Sequence, residues 1–161
     1  MNTMPRRSRG FTLVELMATL VVAGILVTMA VPALSNLLNN QRVKTASFDL
    51  YTALTYARSE AVKRNTDVKV APNGTTWSSG WRVLDGSNTV LRSWSGVPSN
   101  LAVSELGNAT IITYTHDGRM PVGTAQARFQ IGAANSQQTV ASRCIQVDLS
   151  GRPSTQSGGC S

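Results

Sequence analysis

The chain has 161 residues, a formal charge of +7 and only 14% charged side chains, with two cysteines and one histidine. That length allows one small core. The sparse Cys and His leave nothing resembling a zinc or C-x-x-C redox centre, so no metal and no cofactor is expected. Arg6, Arg7 and Arg9 supply three of the positive charges; beyond residue 10, 12 basic and 8 acidic side chains remain, which permits weak attraction to anionic surfaces.

After the basic cluster comes an apolar run. No Asp, Glu, Lys or Arg lies between Glu15 and Arg42. Residues 16–34, as a helix, span about 28 Å, close to a hydrocarbon core. The preceding arginines keep residues 1–10 cytoplasmic and send the remainder outward. A secretory signal cut near the small residues of Val31–Ala33 is one reading, and a retained anchor is the other. Glu15 speaks against the first, because an ionised carboxylate at a bilayer centre costs about 2.5–3.5 kcal/mol and wants a partner.

The stretch RGFTLVEL, Arg9 to Leu16, resembles the processing site of type IV pilins and type II secretion pseudopilins. The resemblance implies that a prepilin peptidase cuts between Gly10 and Phe11 and that Phe11 is then N-methylated. The new α-amino group is positive at neutral pH. In a filament core, Glu15 of one subunit then faces the Phe11 ammonium of a neighbour, which offsets the desolvation of both.

Pro32 sits inside the apolar helix, where it removes a backbone hydrogen bond and predicts a kink near Val31. Beyond it Val43, Ala46, Leu50, Leu54, Ala57 and Ala61 recur at helical spacing, and Glu60 precedes Arg64 as a favourable surface pair. One helix is therefore expected from Phe11 to about Arg64. The pattern then changes to β-branched runs at 67–71, 81–85, 88–94, 110–116, 125–131 and 139–149. Asn73-Gly74, Asp85-Gly86, Asp117-Gly118 and Ser150-Gly151 separate them as turns. The expected fold class is α+β, with an antiparallel sheet on the second half of the helix; the resemblance implies that this is a type IV pilin fold. The expected organisation is a leader at 1–10, a transmembrane or filament-core helix at 11–35, an amphipathic helix at 36–65 and a periplasmic β domain at 66–161.

YARSEAVKRN (56–65), TWSSGWRVLDG (76–86), DGR (117–119) and SGR (150–152) further resemble the GspH/FimT/FimU family. That resemblance implies structural roles for Arg58, Glu60 and Trp81. It also implies a non-enzymatic protein of the inner membrane that joins other minor pilins or pseudopilins. Two assemblies fit, a type IV pilus and the type II secretion pseudopilus, and the short chain with its cysteine pair favours the pilus.

Some FimT-like pilins carry Gly-Arg-x-Arg and bind DNA. Here Gly151-Arg152-Pro153-Ser154 holds half of it, and Arg119, Arg143 and Arg152 are the candidate phosphate contacts. The alternative is that Arg152 decorates a turn. Cys144 and Cys160 read as one disulfide of an oxidising compartment worth about 3 kcal/mol, or else as two unpaired thiols. His116 is expected at an exposed hairpin tip, and Trp77, in NGTTWSSG, is the surface candidate among the three tryptophans.

Overall fold

The computed structural model describes residues 11–107, 109–135 and 140–160. The expected leader, including Gly10, and the first residue of the expected 139–149 strand lie outside them. The chain divides into two compact units between Ser35 and Asn36.

A single helix, α1, runs from Leu13 to Arg64 and contributes to both units. Its helical assignment is continuous through position 32, so the proline does not end it, and the Pro32 side chain lies outside the described set. The helix stops at Asn65, which takes a left-handed φ of 51°. Thr66 N–H bonds the Ala61 carbonyl (3.2 Å) and Asn65 N–H that of Val62 (3.3 Å). This Schellman closure satisfies carbonyls that the helix would leave open. Lys63 and Arg64 in the last turn complement the negative end of the helix dipole.

Eight strands follow: β1 Val68–Pro72, β2 Gly80–Leu84, β3 Val90–Ser95, β4 Leu101–Glu105, β5 Ile112–Tyr114, β6 Ala127–Ala133, β7 Arg143–Val147 and β8 Pro153–Ser157. They form two antiparallel four-stranded sheets, ordered β3-β2-β1-β5 and β4-β6-β7-β8, where one sheet was expected. The expected turns all fall between strands. The second sheet is built on the β6–β7 pair and widened by β4, whose Leu101 and Val103 alternate inward, and by β8, which adds to β7. Both were absent from the expected strand set.

Val43, Ala46, Leu50, Leu54, Ala57 and Ala61 are all buried against the inner faces of both sheets, as their spacing requires. Phe129, Ile131, Ile145 and Val147 of β6 and β7 complete one side; Val68, Val70, Trp81 and Val83 of β1 and β2 complete the other. The short 3₁₀ turn Trp77–Ser79 ties the sheets together. Val103 N–H of β4 donates to Ser78 Oγ at 2.9 Å. Trp77 is not a surface residue: it is 6% exposed, donates Nε1–H to the Ala109 carbonyl at 3.1 Å and packs edge-to-face on Phe129. A large indole in a limited core contributes more area than any other side chain, and this turn carries it inward.

Candidate functional site

Three features carry the chemistry that the sequence singled out: the start of α1, its exposed apolar stem, and a pair of turns at the far end of the domain.

At the helix start Thr12 and Glu15 form a capping box, a feature that the T-x-x-E spacing encodes and that the sequence reading missed. Glu15 N–H donates to Thr12 Oγ1 (3.2 Å), while Glu15 Oε2 accepts from Thr12 N–H (3.1 Å) and the Thr12 hydroxyl (3.2 Å). Two otherwise orphaned donors of the helix are thereby satisfied. The carboxylate also lies at the positive end of the helix dipole. Glu15 therefore has a partner within its own helix.

From Phe11 to Leu38, every described large apolar side chain is at least half exposed. None of the other described residues covers them. Among the described residues no helix is long and apolar enough to cross a membrane; the expected 16–34 span includes Met29, Pro32 and Ala33, whose side chains lie outside the described set. Where the helix enters the domain, two asparagines form a collar. Asn39 Oδ1 accepts from Asn100 Nδ2 and Asn40 Oδ1 from Ala141 N–H, both at 2.9 Å.

At the opposite end, residues 115–119 and 148–152 fold into matching turns. In each, the first residue donates its N–H to the carbonyl of the fifth (Thr115 to Arg119, 2.9 Å; Asp148 to Arg152, 3.2 Å). The fourth residue, glycine, donates back to the carbonyl of the first (Gly118 to Thr115, 2.7 Å; Gly151 to Asp148, 2.9 Å). Both glycines have positive φ, 75° and 79°. A β-carbon on Gly151 would overlap the Gly118 carbonyl oxygen, so the two turns touch. Arg58 of α1 joins them: its Nε–H donates to the Gly118 carbonyl at 3.0 Å and its Nη2–H to the Ser150 carbonyl at 3.3 Å. That is the structural role expected of Arg58. Glu60 is less a surface residue than expected, being 7% exposed and holding Arg64 Nε at 2.6 Å. Trp81 is buried.

The arginine candidates separate. Arg119 and Arg152 stand on the two adjoining turns, each beside an acid of its own turn, with Arg119 3.9 Å from Asp117 and Asp148 Oδ1 accepting Arg152 N–H at 3.0 Å. Hydrogen bonds hold both carboxyls below their usual range, Asp117 chiefly from the Thr115 hydroxyl and Asp148 chiefly from that of Ser150. Arg143 begins β7, the end of the strand opposite the turn that carries Arg152. The three make no single basic patch. His116 is exposed in its turn. Cys144 and Cys160 are joined, fastening the chain end after β8 to β7.

The chain matches the Type II transport protein GspH family over residues 46–151 and the prokaryotic N-terminal methylation motif over residues 5–31. Two crystal structures of the type IV minor pilin FimU of Pseudomonas aeruginosa share its fold, with TM-scores of 0.61 and 0.59. They are 23% and 24% identical, covering 72% and 70% of this chain and 89% and 91% of theirs, and at that identity the likeness shows the fold alone. No curated protein sequence matches.

Proposed function

Because this chain belongs to the GspH family of type IV pilin-like proteins and carries the N-terminal methylation motif, we infer that it is a minor pilin of the FimU kind that acts by assembling and catalyses nothing. Residues 11–35 anchor it in the inner membrane with the domain outside. Prepilin peptidase cuts after Gly10 and methylates Phe11. The stem then passes from lipid into a filament with other pilins, where Glu15 meets a neighbour's Phe11 ammonium. The observation that carries this reading is the naked stem. Its long row of exposed apolar side chains is unstable in water and requires either lipid or other stems.

The family's designation as a type II transport protein favours a second reading, a pseudopilin that caps the type II secretion filament. Deleting the gene in the source bacterium separates the two. The pilus reading expects loss of surface filaments with secretion intact; loss of secretion with normal filaments assigns the chain to the other machine. DNA contact is not part of the proposed function: Gly151-Arg152-Pro153-Ser154 holds half of the Gly-Arg-x-Arg motif, and Arg143 lies at the end of its strand away from the turn that carries Arg152.

A further inference from the structure

We propose that the groove between α1 and the edge strand β8 seats a neighbouring pilin-like subunit, which lays along it an extended segment carrying an apolar side chain and a carboxylate. The proposal rests on the assembly reading above and adds where the partner docks.

The groove, of about 400 Å³, is lined by Lys44, Ser47, Phe48 and Tyr51 of α1, Arg143 of β7 and Thr155 of β8. Phe48 is 68% exposed, although it lies beside the buried Ser47 and Leu50. The cause is the width of the second sheet. In the β7–β8 register Ile145 opposes Thr155 and Val147 opposes Pro153, so residues 153, 155 and 157 continue the inner face of β7. Ile145 and Val147 are buried, whereas β8 is largely exposed. The core therefore ends under β7, and β8 overhangs a space flanked by two aromatic rings.

Charge points the same way. Lys63 and Arg64 close on Glu60, Arg92 lies over the Trp94 ring, and Arg58 is taken up by two carbonyls. Lys44 and Arg143 have neither an ion pair nor a side-chain hydrogen bond among the described residues. They meet in this groove, which no acid lines. Uncompensated cations beside the exposed Phe48 ring and the half-buried Tyr51 select a partner that is both anionic and apolar. The free edge of β8 chooses between macromolecules. Among the described residues no strand lies beside its outward backbone groups, and an extended peptide completes that ladder as a nucleic acid backbone does not.

The test replaces Phe48 by the photo-crosslinking amino acid p-benzoylphenylalanine in the full chain, in the source bacterium, with the same replacement of Leu26 in the stem as a reference. The Phe48 position is expected to give an adduct with a chain that itself bears a processed N-terminal methylation motif, through a peptide containing Asp or Glu. Combining it with Lys44→Glu and Arg143→Glu should cut the yield about tenfold or more, and exchanging the partner's acid for lysine should restore it. Adducts from the Leu26 position but none from Phe48 overturn the proposal and leave the assembly reading standing. So do adducts with nucleic acid, or adducts indifferent to charge reversal. Adducts from neither position contradict both. Formation of the Cys144–Cys160 disulfide in each variant reports that the domain has folded.

Discussion

Glu15 is asked to satisfy its own helix and, on the proposed function, a neighbouring chain. The two demands separate chemically. A glutamine at this position still accepts from Thr12 N–H but carries no charge, whereas alanine loses both the cap and the charge. Glu15→Gln and Glu15→Ala should both be inserted and processed, and both should be depleted from sheared filaments. Wild-type incorporation of Glu15→Gln would mean that the cap matters and the charge pair does not. At Tyr114 the balance runs the other way. Its hydroxyl is buried without a hydrogen-bond partner among the described residues, and burial pushes its pKa up. Tyr114→Phe removes a desolvated group that earns no bond. Melting of the variant is expected to show no loss of stability, or a gain of about 1 kcal/mol; a loss beyond that would reveal an acceptor.

The paired turns hang on one side chain and one missing side chain. Arg58→Ala leaves the Gly118 and Ser150 carbonyls without their charged donor and should cost about 1–3 kcal/mol, seen as a lower melting temperature. Gly151→Ala strains a backbone at φ 79° and drives a methyl into the other turn, for an expected loss of about 2–4 kcal/mol. The Asp-Gly and Ser-Gly pairs were readable as turns because their chemistry is local. Their contact was not readable, since 33 positions separate Gly118 from Gly151 and only the fold brings them together. The same distinction covers the strands. The long helix followed from periodicity, whereas β8, Pro-Ser-Thr-Gln-Ser, buries almost nothing and so has no apolar alternation to betray it. Trp77 was misread for a related reason: polar neighbours suggest a surface loop, and the bond to Ala109 is made 32 residues away. At the candidate site the N-terminal methylation motif was legible, and the family match covers it over residues 5–31; the Lys44–Phe48–Arg143 groove was not, because it joins a helix to a strand about a hundred residues later.

Across the whole domain, acid and reductant probe what the chain end and the helix contribute. Glu60 is held below its ordinary 4.5, chiefly by the hydrogen bond from Arg64. A depressed carboxyl stabilises the fold above the unfolded value and loses that contribution as pH falls through the folded one. Asp117 and Asp148 act in the same sense from 3.8 downward, while Asp49, raised by burial, opposes them. Stability should fall below about pH 4.5, with a shallower slope in Glu60→Gln, as melting across a pH series would record. Cys144→Ser should cost about 3 kcal/mol and loosen β8 before the remainder. None of this reaches the central claim, which concerns the stem. The account requires a new positive terminus four residues before Glu15, created by cleavage after Gly10. Intact-mass and N-terminal fragment analysis of the protein purified from its own bacterium tests that directly. The account predicts a chain beginning at an N-methylated Phe11. A first residue beyond Ala33, as a secretory signal cut would leave, or an uncut Met1, contradicts it.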